Sequence, residues 1–316
     1  MISMNDIAKK LNISRTTVSN ILNERPVAKT YKKETISLVK ITAEQMGYIP
    51  NNMAIAINTG ITMTLAIVVP ELSNTYYITI ISIVEKLASS LGYHLLIFAS
   101  DNRVSKENEI IEYLMRQRVD GLLIAPVSYE NSLNFNNIPF EVVCFDRKIK
   151  EDRFQSITID NVKYMKELIN SNVKSDDFYN QIIFMAGSKD DYTVIQRLDA
   201  SKEALSELDK EIGKIYFDVF ENNDSYNILK NEKEIDFENC RTLFILSSSF
   251  SSLGIVKYFK EKKHNNYKIL AFEHFYAIDL IEADIKVIDQ PVEETAKQAF
   301  GQLMDSIQKK SKSKQN

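Results

Sequence analysis

The chain has 316 residues, of which 44% are hydrophobic and 26% charged, with a formal net charge of −4 and two cysteines. That much apolar sequence builds real cores, and its length exceeds one ordinary domain, so a disordered chain, a fibre and a disulfide-stapled mini-protein are excluded. No apolar stretch reaches the roughly 20 residues of a membrane span, and the N-terminus lacks a charged-then-apolar signal pattern, so a cytoplasmic protein without membrane contact is expected.

Charge is unevenly distributed. Residues 1–59 carry a net +4 and the remainder a net −8, so only the head suits a polyanion. In the head, Ser3 and Asp6 stand at capping-box spacing before Ile7, Ala8 and Leu11, which share a helical face. Asn12 tolerates the left-handed conformation that would end this helix, and Ser14 is placed to cap a second one with Val18, Ile21 and Leu22 inward. Two helices so closely spaced predict a helix-turn-helix, with Arg15, Thr16 and Asn20 pointing outward. Arg suits guanine and Asn suits adenine in the major groove, while Ser14 and Thr17 suit phosphates at the helix start. A basic stretch (Lys29, Lys32, Lys33) then leads to a third helix with Ile36, Val39, Ala43 and Met46 inward, ending at Gly47. The periodicity alone also fits two solvated amphipathic helices of some other bundle.

From Leu65 onward, β-branched runs alternate with helical patterns: LAIVVP, a helix over 75–91, YHLLIFA, a helix over 104–117, DGLLIAP and FEVVCFD. A second series runs through NQIIFMAG, KIYFDVF, RTLFILS, YKILAFE and IKVIDQP, and a helix over 292–308 leads to a basic tail predicted to be disordered. Near-continuous apolar strands between helices mean parallel sheets covered on both faces, here as two lobes in tandem. Such sheets bind ligands at the carboxyl ends of their strands, which brings forward Asn74, Tyr76, Tyr77, Ser100, Asp101, Asp146, Ser249 and Glu273. Cys144 and Cys240 lie in strand-like runs and are expected to be buried, reduced core residues. With no glycine-rich phosphate loop, and His94, His264 and His274 scattered, no enzyme, cofactor or metal is expected.

Three motifs in one register, DIAKKLNISRTTVSNILN, MGYIPNNMAIAI and LAIVVPELSNTYY, resemble the lactose-repressor (LacI/GalR) family, and the likeness runs through most of the chain. The resemblance implies an α/β protein: a three-helix DNA-binding head over 1–48, a hinge helix or linker over 49–60 and a two-lobed, periplasmic-binding-protein-like body over 61–316. Lobe 1 would comprise about 61–161 plus 291–310, and lobe 2 about 162–290. It implies a homodimer on palindromic double-stranded operator DNA, with the hinge formed by Tyr48, Pro50, Asn51, Met53, Ala54 and Ile57, and Ile57 as the minor-groove wedge. Asn23 joins Ser14, Arg15, Thr16, Thr17 and Asn20 at the DNA surface. Arg197 matches the family's effector-binding arginine, and Asp146, Asp160, Asn161 and Gln290 fall on family motifs, with Asp160 and Asn161 better read as a helix cap than as ligand contacts.

Several departures bear on specificity. The connection after the second helix is three residues longer than usual, and the common hinge arginine is replaced, leaving Ile55. In the body, Ser248 and Ser249 stand where the family has an asparagine-aspartate pair, and Glu273 and His274 where it has aspartates. The resemblance implies a carbohydrate effector, while these departures, since a hydroxyl cannot replace a carboxylate at a sugar's paired hydroxyls, favour the alternative of a degenerate cleft controlled by a protein partner or by nothing.

Overall fold

The computed structural model describes residues 2–49, 60–130, 138–150, 154–220, 222–274 and 278–313. It divides into two units, residues 1–63 and 64–316.

The first unit follows its caps. Helix α1 (Met4–Leu11) starts at Ser3, whose hydroxyl accepts from the Asp6 amide while the Asp6 carboxylate accepts from the Ser3 amide at 2.9 Å. It ends at Asn12, in the left-handed region at φ 53°. Helix α2 (Arg15–Leu22) is capped by Ser14, whose Oγ accepts from the Thr17 amide at 2.9 Å. A 3₁₀ turn over Pro26–Thr30, not anticipated from the sequence, precedes α3 (Lys33–Gln45), and Gly47 turns the chain at φ +67°. Ile7, Val18, Ile21 and Val39 are fully buried between the helices, with Ile36 and Met46 packed at the edge of this small core.

In the second unit, lobe 1 begins with β1 (Thr64–Val69), α4 (Thr75–Ser90), β2 (His94–Ala99), α5 (Val104–Gln117), β3 (Gly121–Ile124), β4 (Glu141–Phe145) and β5 (Gln155–Ile157). Lobe 2 follows with α6 (Asn161–Asn172), β6 (Gln181–Met185), α7 (Tyr192–Ser206), β7 (Lys214–Tyr216), α8 (Asn222–Asn231), β8 (Thr242–Leu246), α9 (Ser252–Lys262), β9 (Tyr267–Phe272) and β10 (Ile285–Ile288). Both sheets are five-stranded and parallel, in the orders β2-β1-β3-β4-β5 and β10-β9-β8-β6-β7, so the two lobes repeat one topology. The chain crosses between lobes before α6 and again before α10 (Val292–Ser313), which returns to lobe 1.

Each sheet is covered on both faces, which is why its strands read as continuous Val/Ile/Leu runs. In lobe 1, α4 and α10 cover one face, where Ile80, Val84, Ala299 and Leu303 pack on Leu65, Ile67 and Leu123; α5 covers the other with Ile111 and Leu114. In lobe 2, α6 and α7 cover one face, and α8 and α9 the other. The third strand of lobe 1 accepts α10 closely because it starts at Gly121, where a Cβ would stand 2.9 Å from the Ile307 and Leu303 side chains.

The last helix runs to Ser313 rather than stopping near 308, so most of the expected tail is helical, and 314–316 lie outside the described residues. Cys144 is buried as expected, and burial pushes its thiol up to about 12, whereas Cys240 is only half-buried. Leu303→Ala should destabilise the protein by about 2–5 kcal/mol, measured as a lower urea midpoint, because a fully buried contact with the sheet leaves a cavity.

Candidate functional site

Two surfaces carry the sequence-predicted residues. In the head, the N-terminal turn of α2 presents Arg15 and Thr16 to solvent, with Ser14 exposed beside them and Thr17 half-buried. Ser14 and Thr17 also share a hydroxyl contact of 2.8 Å, so both are engaged in the cap. Asn20 differs from expectation. It is only 7% exposed, and its Nδ2 donates to the Tyr31 hydroxyl at 3.1 Å, because the 3₁₀ turn carries Tyr31 back onto the helix. Asn23 ends α2 and donates to Ser19 Oγ at 3.1 Å. Asn51, Met53, Ala54 and Ile57 lie outside the described residues.

In the body, the carboxyl ends of the strands of both lobes face one cleft, whose cavity volume is about 60 Å³. Glu71 and Asn74 come from the end of β1, Asp146 and Arg147 from β4, Asp191 from the start of α7, Ser247 and Ser248 from β8, and Glu273 from β9. Such convergence follows from parallel strands, whose carboxyl ends all point one way.

Arg197 lies on α7 and is 3% exposed. Its Nε donates to Asn161 Oδ1 at 2.9 Å and its Nη1 to the Ser247 carbonyl at 2.6 Å, while the guanidinium stacks 3.8 Å from the Phe272 ring centroid. Nη2 is buried at the cleft wall without a protein partner, a donor whose desolvation a ligand acceptor would offset. Asp160 caps α6 by accepting from the Lys163 amide at 2.9 Å, so of the neighbouring pair Asp160 serves the helix and Asn161 the arginine.

Asp146 sits at φ 60° and accepts from the Tyr77 hydroxyl at 2.7 Å. Burial raises its carboxyl above the usual range, against the pull of the Arg147 and Arg197 guanidiniums. Glu273 has φ 75°, a strained position for a residue with a Cβ. Its carboxylate accepts from Gln290 Nε2 at 3.2 Å, from Ser248 Oγ at 3.3 Å and, loosely, from Asn74 Nδ2 at 3.5 Å. Burial pushes its pKa from 4.5 up to about 7, partly offset by Arg197.

Three expected cleft residues lie elsewhere. Ser249 is buried in a 3₁₀ turn behind the wall, and its neighbour Ser248 reaches Glu273 instead. Tyr76 and Gln290 line a separate cavity beyond Glu273, with Thr79 and His274, because successive helical positions such as Tyr76 and Tyr77 point roughly 100° apart. Two cleft residues had no functional signal in the sequence. Arg147 follows the predicted Asp146, and Asp191, which the sequence did not single out, caps α7; they meet across the lobes at 2.9 Å. At the rim, Tyr129 of lobe 1 stacks on Tyr192 of lobe 2, with ring centroids 5.5 Å apart.

The pH dependence of stability follows from Glu273. Because its folded-state pKa is raised, its contribution is fully present below about 4.5 and is lost as pH rises through about 7. Glu273→Gln should therefore remove part of the fall in thermal midpoint between pH 5 and pH 8, and should melt higher than the parent at pH 8.

A periodic pattern of this kind has recognisable relatives. Residues 65–303 match the family described as periplasmic binding protein domain. The catabolite repressor/activator of Escherichia coli (strain K12) is 29% identical over 157 residues, 49% of this chain, and the chain spans about half (47%) of that relative's length. Two solved structures share the fold. The lac repressor dimer bound to operator and the anti-inducer ONPF gives a TM-score of 0.77 at 14% identity, covering 97% of this chain and 93% of that one. The Cra dual regulator from Pseudomonas putida, in complex with fructose 1-phosphate, gives 0.69 at 18% identity, covering 78% and 93%. The chain belongs to the periplasmic-binding-protein domain family.

Proposed function

We propose that this protein is a homodimeric, sequence-specific DNA-binding regulator whose affinity for a palindromic operator is set by a small carbohydrate held between the lobes. The observation that carries this reading is the presence in one chain of a capped helix pair with Arg15 and Thr16 exposed at the start of its second helix, and of a polar cleft with an unpartnered buried guanidinium donor. A basic head supplies the phosphate contacts that hold register on DNA, and base edges are left to α2. Arg15 and Thr16 are its readers, Ser14, Thr17 and Asn23 lie at the backbone, and Asn51, Met53, Ala54 and Ile57 form the minor-groove element. Two heads related by a two-fold axis match the two halves of a palindrome, as the lac repressor dimer's operator complex suggests by analogy.

In the body, Arg197 Nη2 donates to a ligand oxygen, while Asp146 and Glu273 accept from hydroxyls and Tyr77 orients Asp146. Ligand contacts drawn from both lobes favour closure, and a dimer that transmits closure to the heads couples the two sites. Selection of bound fragments from the source genome by the full-length protein, with and without a panel of sugars, tests the whole reading; failure to enrich any palindrome would end it. On the selected operator, Arg15→Ala should weaken binding by about 1–3 kcal/mol and relax base preference at one position per half-site, read by mobility shift.

A further inference from the structure

The cleft is poorly supplied with positive charge. Its lining contains Glu71, Asp146, Asp191 and Glu273 but only two cations, Arg147 and Arg197, and no lysine or histidine among the described residues. Neither guanidinium is free as a whole. Arg197 has committed Nε and Nη1 to protein acceptors, which leaves Nη2. Arg147 is paired through Nη2 with Asp191 at 2.9 Å, and its Nε lies 3.8 Å from Asp146; the side chains of Arg147 and Asp191 are 14% and 4% exposed.

Asp191 cannot easily leave. Its Oδ1 caps α7, accepting from the Thr193 amide at 2.8 Å and the Thr193 hydroxyl at 2.9 Å, which aims Oδ2 at Arg147. A phosphate that took Arg147 for itself would strand this buried carboxylate, the costly half of breaking a buried pair. A phosphate that left the pair intact would meet acidic neighbours, with Arg197 Nη2 and Arg147 Nε as the unpartnered guanidinium donors and the latter already 3.8 Å from Asp146. Uncharged hydroxyls face neither penalty, since they donate to Asp146 and Glu273 and accept from Arg197 Nη2.

We infer that Asp191 is a resident anion on Arg147, so that the cleft takes an uncharged, polyhydroxylated ligand and refuses its phosphorylated counterpart. The inference rests on the effector-cleft reading above, and it separates this chain from the fructose 1-phosphate complex of its structural neighbour.

Calorimetry on the full-length protein tests it, with inorganic phosphate and with common hexoses and pentoses each paired with its monophosphate. The parent should bind one or more unphosphorylated sugars in preference to the phosphorylated forms, and should show no measurable phosphate binding. Asp191→Ser keeps a capping hydroxyl and Asp191→Asn keeps a capping carbonyl. Each should bind inorganic phosphate roughly 10- to 100-fold more tightly than the parent, and adding Arg147→Gln should abolish the gain. The inference is overturned if the parent prefers a sugar monophosphate to the free sugar, or if both folded Asp191 variants bind phosphate no better than the parent. A gain of phosphate binding without binding of any free sugar would instead reject the sugar reading and leave the exclusion of anions by Asp191 standing.

Discussion

A parallel sheet must be covered on both faces, and in lobe 1 the cover of one face is completed, beside α4, by a helix that the chain reaches only after building lobe 2. Ala296, Ala299, Phe300 and Leu303 of α10 fill the space between α4 and the strands, and Gly121 lets the helix approach. This requirement forces the chain to cross between lobes twice. Both crossings pass beside the cleft: the first delivers Asp160 and Asn161 to the start of α6, and the second delivers Gln290 to Glu273. The cleft thus lies beside the two connections that lobe 1 needs to complete its core.

Within the cleft, buried charge is managed by pairing rather than by solvent. Arg197 is fixed by two hydrogen bonds and an aromatic face, Arg147 by an acid that also caps a helix, and Asp146 by a tyrosine hydroxyl. These contacts determine orientation at a cost in desolvation, since a buried ion pair often contributes little net stability. The Arg147–Asp191 pair and the Tyr129–Tyr192 stack both join one lobe to the other, so the contacts that shape the cleft also hold it closed.

What was legible in the sequence was what repeats. Apolar runs marked nine of the ten strands, with only the three-residue β5 missed, and cap residues marked the head helices at Ser3, Asn12 and Ser14. What was not legible was set by single-residue differences and by distant partners. Ser248 and Ser249 are indistinguishable in sequence, yet one reaches Glu273 and the other lies behind the wall. Asn20 reads as an outward polar residue until a 3₁₀ turn, for which no period exists, brings Tyr31 against it. Asp191 was not singled out at all: it caps α7, and its second role depends on an arginine from the other lobe.

The return of α10 also orders events in time. A chain synthesised from its N-terminus presents the strands of lobe 1 first, but one face of that sheet is covered by α4 alone until residues 292–307 have emerged. Lobe 2 is continuous in sequence and can close its own core before then. Until then the second lobe can be complete while the first lacks the part of its cover that Ala299 and Leu303 supply over Leu65, Ile67 and Leu123, so that this is the interval in which chaperones have most to hold.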